Sequence, residues 1–229
     1  MLLKGVVEPE VCAQWLSLIE RRYADADRLR DDPDFSLHSS SQRLRGVAQI
    51  DLDVLLRALV RGELRRRLGA HLACDLDQCW VRRQYAPRNA PPPHAAHSWH
   101  QDGALNFDFA AHAGAALPAD ALLEMLTCWI ALTACGVDAP GLEWVDAPIA
   151  RLLAPSDLTE ERVRASFAPA TFQRPAMRAG DALLLRGDTL HRTHVTPAMT
   201  HDRTSIELRF FAAQPERLRG DRFISAITE

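Results

Sequence analysis

His100, Asp102 and His191 are the residues whose types could do chemistry together. The first two stand in Ser98-Trp99-His100-Gln101-Asp102-Gly103, and the third lies far downstream in Gly187-Asp188-Thr189-Leu190-His191-Arg192-Thr193. Two neutral imidazoles and one carboxylate can hold iron(II) on one face and leave the opposite face open for oxygen and a chelating cosubstrate. On an extended backbone, residues i and i+2 point to the same side. His100 and Asp102 would then present their donor atoms together while Gln101 turns away, and His191 must arrive from a remote strand. His194 competes for the distal position. Its offset of three puts it on the other strand face, so it and His191 should not chelate one metal.

An arginine further along completes the pattern. Arg203 could grip the far carboxylate of a 2-oxo diacid with two parallel hydrogen bonds. Arg209 is the rival; it lies in Ile206-Glu207-Leu208-Arg209-Phe210-Phe211, where a buried guanidinium would need a carboxylate partner. An ordinary ion pair is the plain reading of either. In the candidate strand Trp80 to Tyr85, Arg82 and Gln84 share one side and Arg83 and Tyr85 the other. One set could face the cosubstrate or an anionic substrate; an arginine-rich outer sheet face is the plainer reading. Trp99 and Trp129 could wall a substrate pocket, or simply belong to the core. His94, His97 and His100 recur at intervals of three, but Pro91, Pro92 and Pro93 precede them and exclude a helical zinc motif. His97 could order the loop, touch substrate or face solvent.

The elements that must position these residues follow from periodicity. Residues 9–24 read as a helix with Pro9 in its first turn and Val11, Trp15, Leu18 and Ile19 at helical spacing. A second helix is expected over about 52–72, with a leucine-rich face and Arg65, Arg66 and Arg67 on its polar side; such a run reads as a solvated face. The charged stretch from Asp25 to about Arg45 reads as a surface loop or part of a lid. Strands are expected at 78–85, 105–109, 126–133, 142–145, 170–177, 182–186, 189–195 and 204–212. Leu105, Phe107 and Phe109 carry the second by alternation with Asn106 and Asp108. Many short strands between turn signals make a mainly β chain, a sandwich or barrel buttressed by the N-terminal helices.

Composition narrows the functions. With 229 residues, one sizeable domain is expected, and 47% hydrophobic residues allow a substantial core. Lys and Arg number 27 against 30 Asp and Glu, a net charge of -3, so no global basic field for nucleic acid exists. The five cysteines are Cys12, Cys74, Cys79, Cys128 and Cys135, and none forms a CxxC pair. They indicate neither a zinc knuckle nor a disulfide framework, and a reducing cytoplasm is the simpler expectation. The N-terminus carries neither a signal peptide nor a membrane span. A small-molecule substrate is the expected partner, and oligomeric state is not legible.

At this point the chain resembles the phytanoyl-CoA dioxygenase family of iron(II)- and 2-oxoglutarate-dependent oxygenases. The resemblance rests on Ser98–Gly103, Thr127-Cys128-Trp129-Ile130-Ala131-Leu132 and Gly187–Arg203. It implies a double-stranded β-helix, or jelly roll, with a cupin-like core over residues 76–213 and a helical N-terminal buttress over 1–75, all in one oxygenase domain spanning 1–229. It implies His100, Asp102 and His191 as iron ligands, with Arg203 fixing the distal carboxylate of 2-oxoglutarate and Thr193 assisting. Gln84 and Tyr85 are further cosubstrate candidates; Trp99, Arg82, Trp129 and Arg209 are substrate-pocket candidates. The implied reaction couples oxygen and 2-oxoglutarate, giving succinate and carbon dioxide, to hydroxylation of a C–H bond in a small molecule. The runner-up readings are a metal-dependent β-barrel isomerase and a non-enzymatic binding or sensor protein. In one place the chain departs from the family pattern: after Gly141–Pro148 it continues Ile149-Ala150-Arg151, where a Gly-Ser-His turn is common.

Overall fold

In the computed structural model, residues 1–24, 35–36, 40–44, 58–69, 73–113, 115–212 and 223–224 are described. The strands are β1 (Leu2–Leu3), β2 (Phe35–Ser36), β3 (Ser41–Arg43), β4 (Ala73–Asp75), β5 (Trp80–Gln84), β6 (Met125–Ala131), β7 (Gly141–Val145), β8 (Phe172–Gln173), β9 (Ala182–Arg186), β10 (His191–His194), β11 (Arg203–Phe211) and β12 (Phe223–Ile224). The helices are α1 (Pro9–Tyr23), α2 (Ala58–Leu68) and α3 (Glu160–Ser166). The large sheet runs β1-β9-β6-β11-β5-β3-β2, with β4 pairing β11 and β12; the small sheet runs β10-β7-β8. Their pairings are antiparallel, and the fold is a double-stranded β-helix.

β11 is the organising strand. Its even-numbered Ile206, Leu208 and Phe210 join a core with Cys128 and Ile130 of β6, Trp15 and Ile19 of α1, and Val60 and Leu64 of α2. The apolar stripes of both helices are thereby buried on the outer side of the large sheet, as amphipathic faces require. Its odd-numbered residues face the other way, toward the space between the sheets. There Trp129, Leu183 and Leu185 of the large sheet pack with Leu142 and Trp144 of β7.

Most expected strands stand within a residue or two of their predicted bounds. Three differences are instructive. Residues 105–109 form turns, followed by a 3-10 turn at Ala110–His112. Phe107 and Phe109 pack edge-on at 4.9 Å, so their alternation serves a local cluster. The expected strand over 170–177 shrinks to β8, which Arg174 and Pro175 follow outside any strand. Within the expected surface stretch 25–45, β2 and β3 instead extend the large sheet. Residues 52–57 and 70–72 of the expected second helix lie outside the described residues.

Candidate metal centre

Backbone pairing carries the proximal segment to the distal histidine. His100 N–H donates to the His191 carbonyl at 2.9 Å, and His191 N–H returns the bond at 3.0 Å. Thr193 N–H donates to the His97 carbonyl at 3.0 Å. The segment 97–100 therefore lies along one edge of β10, whose other edge is held by β7. Beyond His100 the chain turns: Asp102 opens a 3-10 turn over Asp102–Ala104. Gly103 permits this because it passes close to Gly187. A Cβ there would stand 2.8 Å from the Gly187 carbonyl oxygen and 2.7 Å from Leu122 Cδ1. Gln101 points away from its neighbours and staples the rear wall. Its amide donates to the carbonyls of Arg151 at 3.0 Å and Asp188 at 2.9 Å, and accepts from Leu153 N–H at 2.8 Å.

The donor atoms of His100, Asp102 and His191 lie within 4.8 Å of one another. His100 Nε2 is 4.0 Å from Asp102 Oδ1, and His191 Nε2 is 3.7 Å from Oδ2. Each ring is held in one tautomer. A carbonyl oxygen only accepts, so Nδ1 of His100 donates to Ser98 O at 2.7 Å and Nδ1 of His191 donates to Thr189 O at 2.9 Å. In the neutral ring this tautomer leaves the Nε2 lone pair free, as a metal ligand needs. Burial first, and His191 second, push the His100 imidazole down to about 4, so it is neutral at pH 7. Burial alone would raise the Asp102 carboxyl. Arg209 foremost, then His191, His100 and Thr127, override it and hold the group well below the usual carboxylate range. Arg209 Nη2 donates to Oδ1 at 2.7 Å, and Thr127 Oγ1 donates to Oδ2 at 2.6 Å. Among the described residues no fourth histidine, cysteine or carboxylate joins the group. Two imidazoles and a carboxylate suit a divalent transition metal and leave coordination positions for exogenous ligands.

The same cavity is lined by Arg203, Arg82, Gln84, His97, Thr127, Trp129, Leu142, Leu185, Thr193 and Glu207. Arg203 is 2% exposed and lies over the Trp129 ring at 5.0 Å, yet its Nε and Nη1 have no hydrogen-bond partner. Burial pushes its guanidinium down to about 10. An unpaired buried cation is costly, so this wall fits an anion such as a carboxylate. Arg82 is already engaged: its Nε meets Glu207 Oε1 at 2.7 Å, and Nη1 reaches Ser41 Oγ at 2.9 Å and His97 Nε2 at 3.0 Å.

Three expected site residues stand elsewhere. Trp99 alternates with His100 and faces the opposite way, into a cluster with Val145, Ile149 and Leu190. Its Nε1 donates to Glu160 at 2.6 Å, and the Arg192 and Arg164 guanidinium groups lie 4.8 and 5.5 Å from its ring. Tyr85 packs edge-on against His94 at 5.0 Å rather than lining the cavity. Arg209 also does not line it, because its guanidinium is spent on Asp102. His194 takes the other face of β10 from His191, among Arg174, Glu143 and Arg192. Sequence reasoning missed Thr127 and Glu207. Alternation was the available signal: along β11 it sets 203, 205, 207 and 209 on one side, and along β6 it sets Thr127 with Trp129.

A family model for phytanoyl-CoA dioxygenase (PhyH) matches residues 1–198. The chain belongs to the phytanoyl-CoA dioxygenase family. No curated protein sequence matches it. Among solved structures, EctD from S. alaskensis with bound Fe is 14% identical, with 92% of this chain and 72% of that chain covered and a TM-score of 0.67. HygX from Streptomyces hygroscopicus, with nickel and 2-oxoglutarate bound, is 15% identical over 98% of this chain and 91% of its own, with a TM-score of 0.61. AviO1 from Streptomyces viridochromogenes Tue57 is 18% identical over 93% and 90%, with a TM-score of 0.60. At these identities the likeness is one of fold, and the fold is the one expected for a phytanoyl-CoA dioxygenase family member.

Proposed function

We propose that this protein is an iron(II)- and 2-oxoglutarate-dependent dioxygenase that hydroxylates an unactivated C–H bond of a small molecule. The observation that carries the reading is one cavity holding two Nε2 lone pairs, one carboxylate and a buried arginine with two unpartnered nitrogens. His100, Asp102 and His191 would hold the iron, and Arg203 with Thr193 would hold the far carboxylate of 2-oxoglutarate. EctD and HygX bind iron and 2-oxoglutarate, or nickel and 2-oxoglutarate, in their solved structures, which supports this assignment. Bound iron with its cosubstrate supplies the oxidising power; the protein supplies placement and exclusion of competing reactions.

What the chain's own residues do can be derived. Ser98 and Thr189 carbonyls keep the Nδ1 protons in place, so the neutral rings would present Nε2 to the metal. Asp102 arrives already charged. Gln101 fixes the turn behind it, so the ligand pair is aimed before anything binds. Trp129 and Leu142 with Leu185 give the wall an apolar surface beside Arg203, where a dicarboxylate's methylene chain would lie against hydrocarbon while its charge meets guanidinium. Arg82 is held by Glu207, Ser41 and His97, whereas Arg203 keeps two nitrogens, Nε and Nη1, without hydrogen-bond partners. Three protein ligands, with no fourth among the described residues, suit an open reactive centre better than a closed structural one.

The test is direct. Purified protein supplied with iron(II), ascorbate and oxygen is expected to convert 2-oxoglutarate to succinate, even when uncoupled from a substrate. Metal-replete protein that neither turns over nor binds 2-oxoglutarate would be a binding protein, and the oxygenase reading would fall. Turnover without a hydroxylated product in the presence of an accepted substrate would leave the centre intact and remove the hydroxylase assignment.

A further inference from the structure

Asp102 lines the cavity, and Arg209, outside that lining, forms an ion pair with it. Asp102 is 5% exposed and Arg209 8% exposed, with Nη2 at 2.7 Å from Oδ1. The groups facing the carboxylate are His100, His191, Thr127 and Arg209. Both imidazoles have directed their protons to backbone carbonyls, and Thr127 is neutral, so Arg209 supplies the compensating charge. Glu207, two residues back on the same face of β11, also attracts Arg209, but its carboxylate is paired with Arg82 at 2.7 Å. Arg209 Nη2 makes its hydrogen bond to Asp102, while its Nε has no hydrogen-bond partner.

We propose that Arg209 is the resident counter-ion of Asp102: it pairs with the carboxylate and aims it in the metal-free protein, and it moderates the grip on a divalent cation. The inference rests on the reading of Asp102 as a metal ligand. A buried carboxylate stripped of its partner is strongly destabilising, so the metal-free fold needs Arg209. A guanidinium bonded to one side of a carboxylate and a dication on the other repel each other across a few ångströms of poorly screened interior. The Asp102 charge is therefore shared between a permanent cation and a removable one. Thr127 does something different: it orients the other oxygen without adding charge. Arg209 is thus a positioning residue with an electrostatic cost, and Thr127 a positioning residue without one.

Cobalt(II), which is stable in air, is the probe, and thermal unfolding and direct titration are the readouts. Arg209→Met is expected to lower the unfolding midpoint of the metal-free protein and to enlarge the rise that cobalt produces. Its cobalt dissociation constant should fall by about tenfold, as the metal takes over part of the role of the lost partner. Thr127→Val should move the constant the opposite way, weakening cobalt by about tenfold through loss of orientation alone. A packing role for Arg209 would lower the metal-free and cobalt-bound midpoints equally. That result, or weaker cobalt binding in Arg209→Met, overturns the inference. If Arg209→Met does not fold, Arg209→Gln keeps a donor without charge and must show the same enlarged cobalt effect. Failure of the wild-type protein to bind cobalt at all would overturn the metal-centre reading, an outcome distinct from a change confined to the variants.

Discussion

Arg203 and Arg209 sit on one face of one strand, and their surroundings give them different work. Arg203 has two nitrogens without partners, whereas Arg209 is bonded to Asp102. Arg203→Ala is expected to weaken 2-oxoglutarate binding to cobalt-loaded protein by about ten- to a hundredfold, the loss of a charge-assisted contact, while leaving cobalt affinity intact. Calorimetry on both ligands checks this, and an unchanged 2-oxoglutarate constant would remove Arg203 from the site. His97 provides a second prediction. Arg82 can only donate, so His97 Nε2 accepts from it and the ring is neutral. Burial first and Arg82 second push its imidazole down to about 3, below the unfolded value near 6.5. The stability it supports is thus fully present above about pH 6.5 and lost as pH falls toward 3. The midpoint of metal-free wild-type protein should fall more steeply from pH 7 to 4 than that of His97→Gln; parallel profiles would refute this. The ligand pair was legible from residue types and spacing. The fate of Trp99 was not, because core and pocket tryptophans look alike in sequence, and only its Glu160 partner reveals which side it took.

At the scale of elements, β10 is braced from its outer face. Glu143 of β7, fully buried, accepts from Arg164 of α3 at 2.7 and 2.8 Å, from Arg174 at 2.6 and 2.8 Å, and from Arg192 of β10 at 2.7 Å. The carboxylate thereby ties the small sheet to the helix and to the strand that carries His191. Glu143→Gln should destabilise the fold by about 3 kcal/mol, the low end for breaking a buried ion pair, because the arginines reach water. Urea unfolding measures it, and a change under about 1 kcal/mol would show that the arginines find other partners. Most strands were readable as short apolar runs between glycine and proline turn signals; β6, β9 and β11 are buried on nearly every residue and leave no alternation. The misread segment 105–109 does alternate, from two phenylalanines meeting each other across a turn. Asp102 was expected on a strand, yet the His100 side of the motif pairs and the Asp102 side turns; Gly103 was the signal for that turn.

At the scale of the molecule, the net charge of -3 says little about the cavity, where Arg82, Arg83 and Arg203 stand with Asp102 and Glu207 in one lining. Charge is organised locally, and a whole-chain balance averages it away. The order of strands in the two sheets was likewise beyond the sequence, since each pairing joins remote segments whose patterns are similar; the family resemblance, not periodicity, carried that part. Among the described residues no helix is long and apolar enough to cross a membrane. The unmet hydrogen-bonding capacity of Arg203 bears on how the protein is handled at the bench. A wall with an unmet cation will recruit whatever small acid the solution offers. Citrate, malonate or tartrate in a purification buffer would compete for that wall, blunt a binding curve and raise the unfolding temperature for reasons unrelated to the natural cosubstrate. Measurements of affinity belong in buffers free of carboxylates.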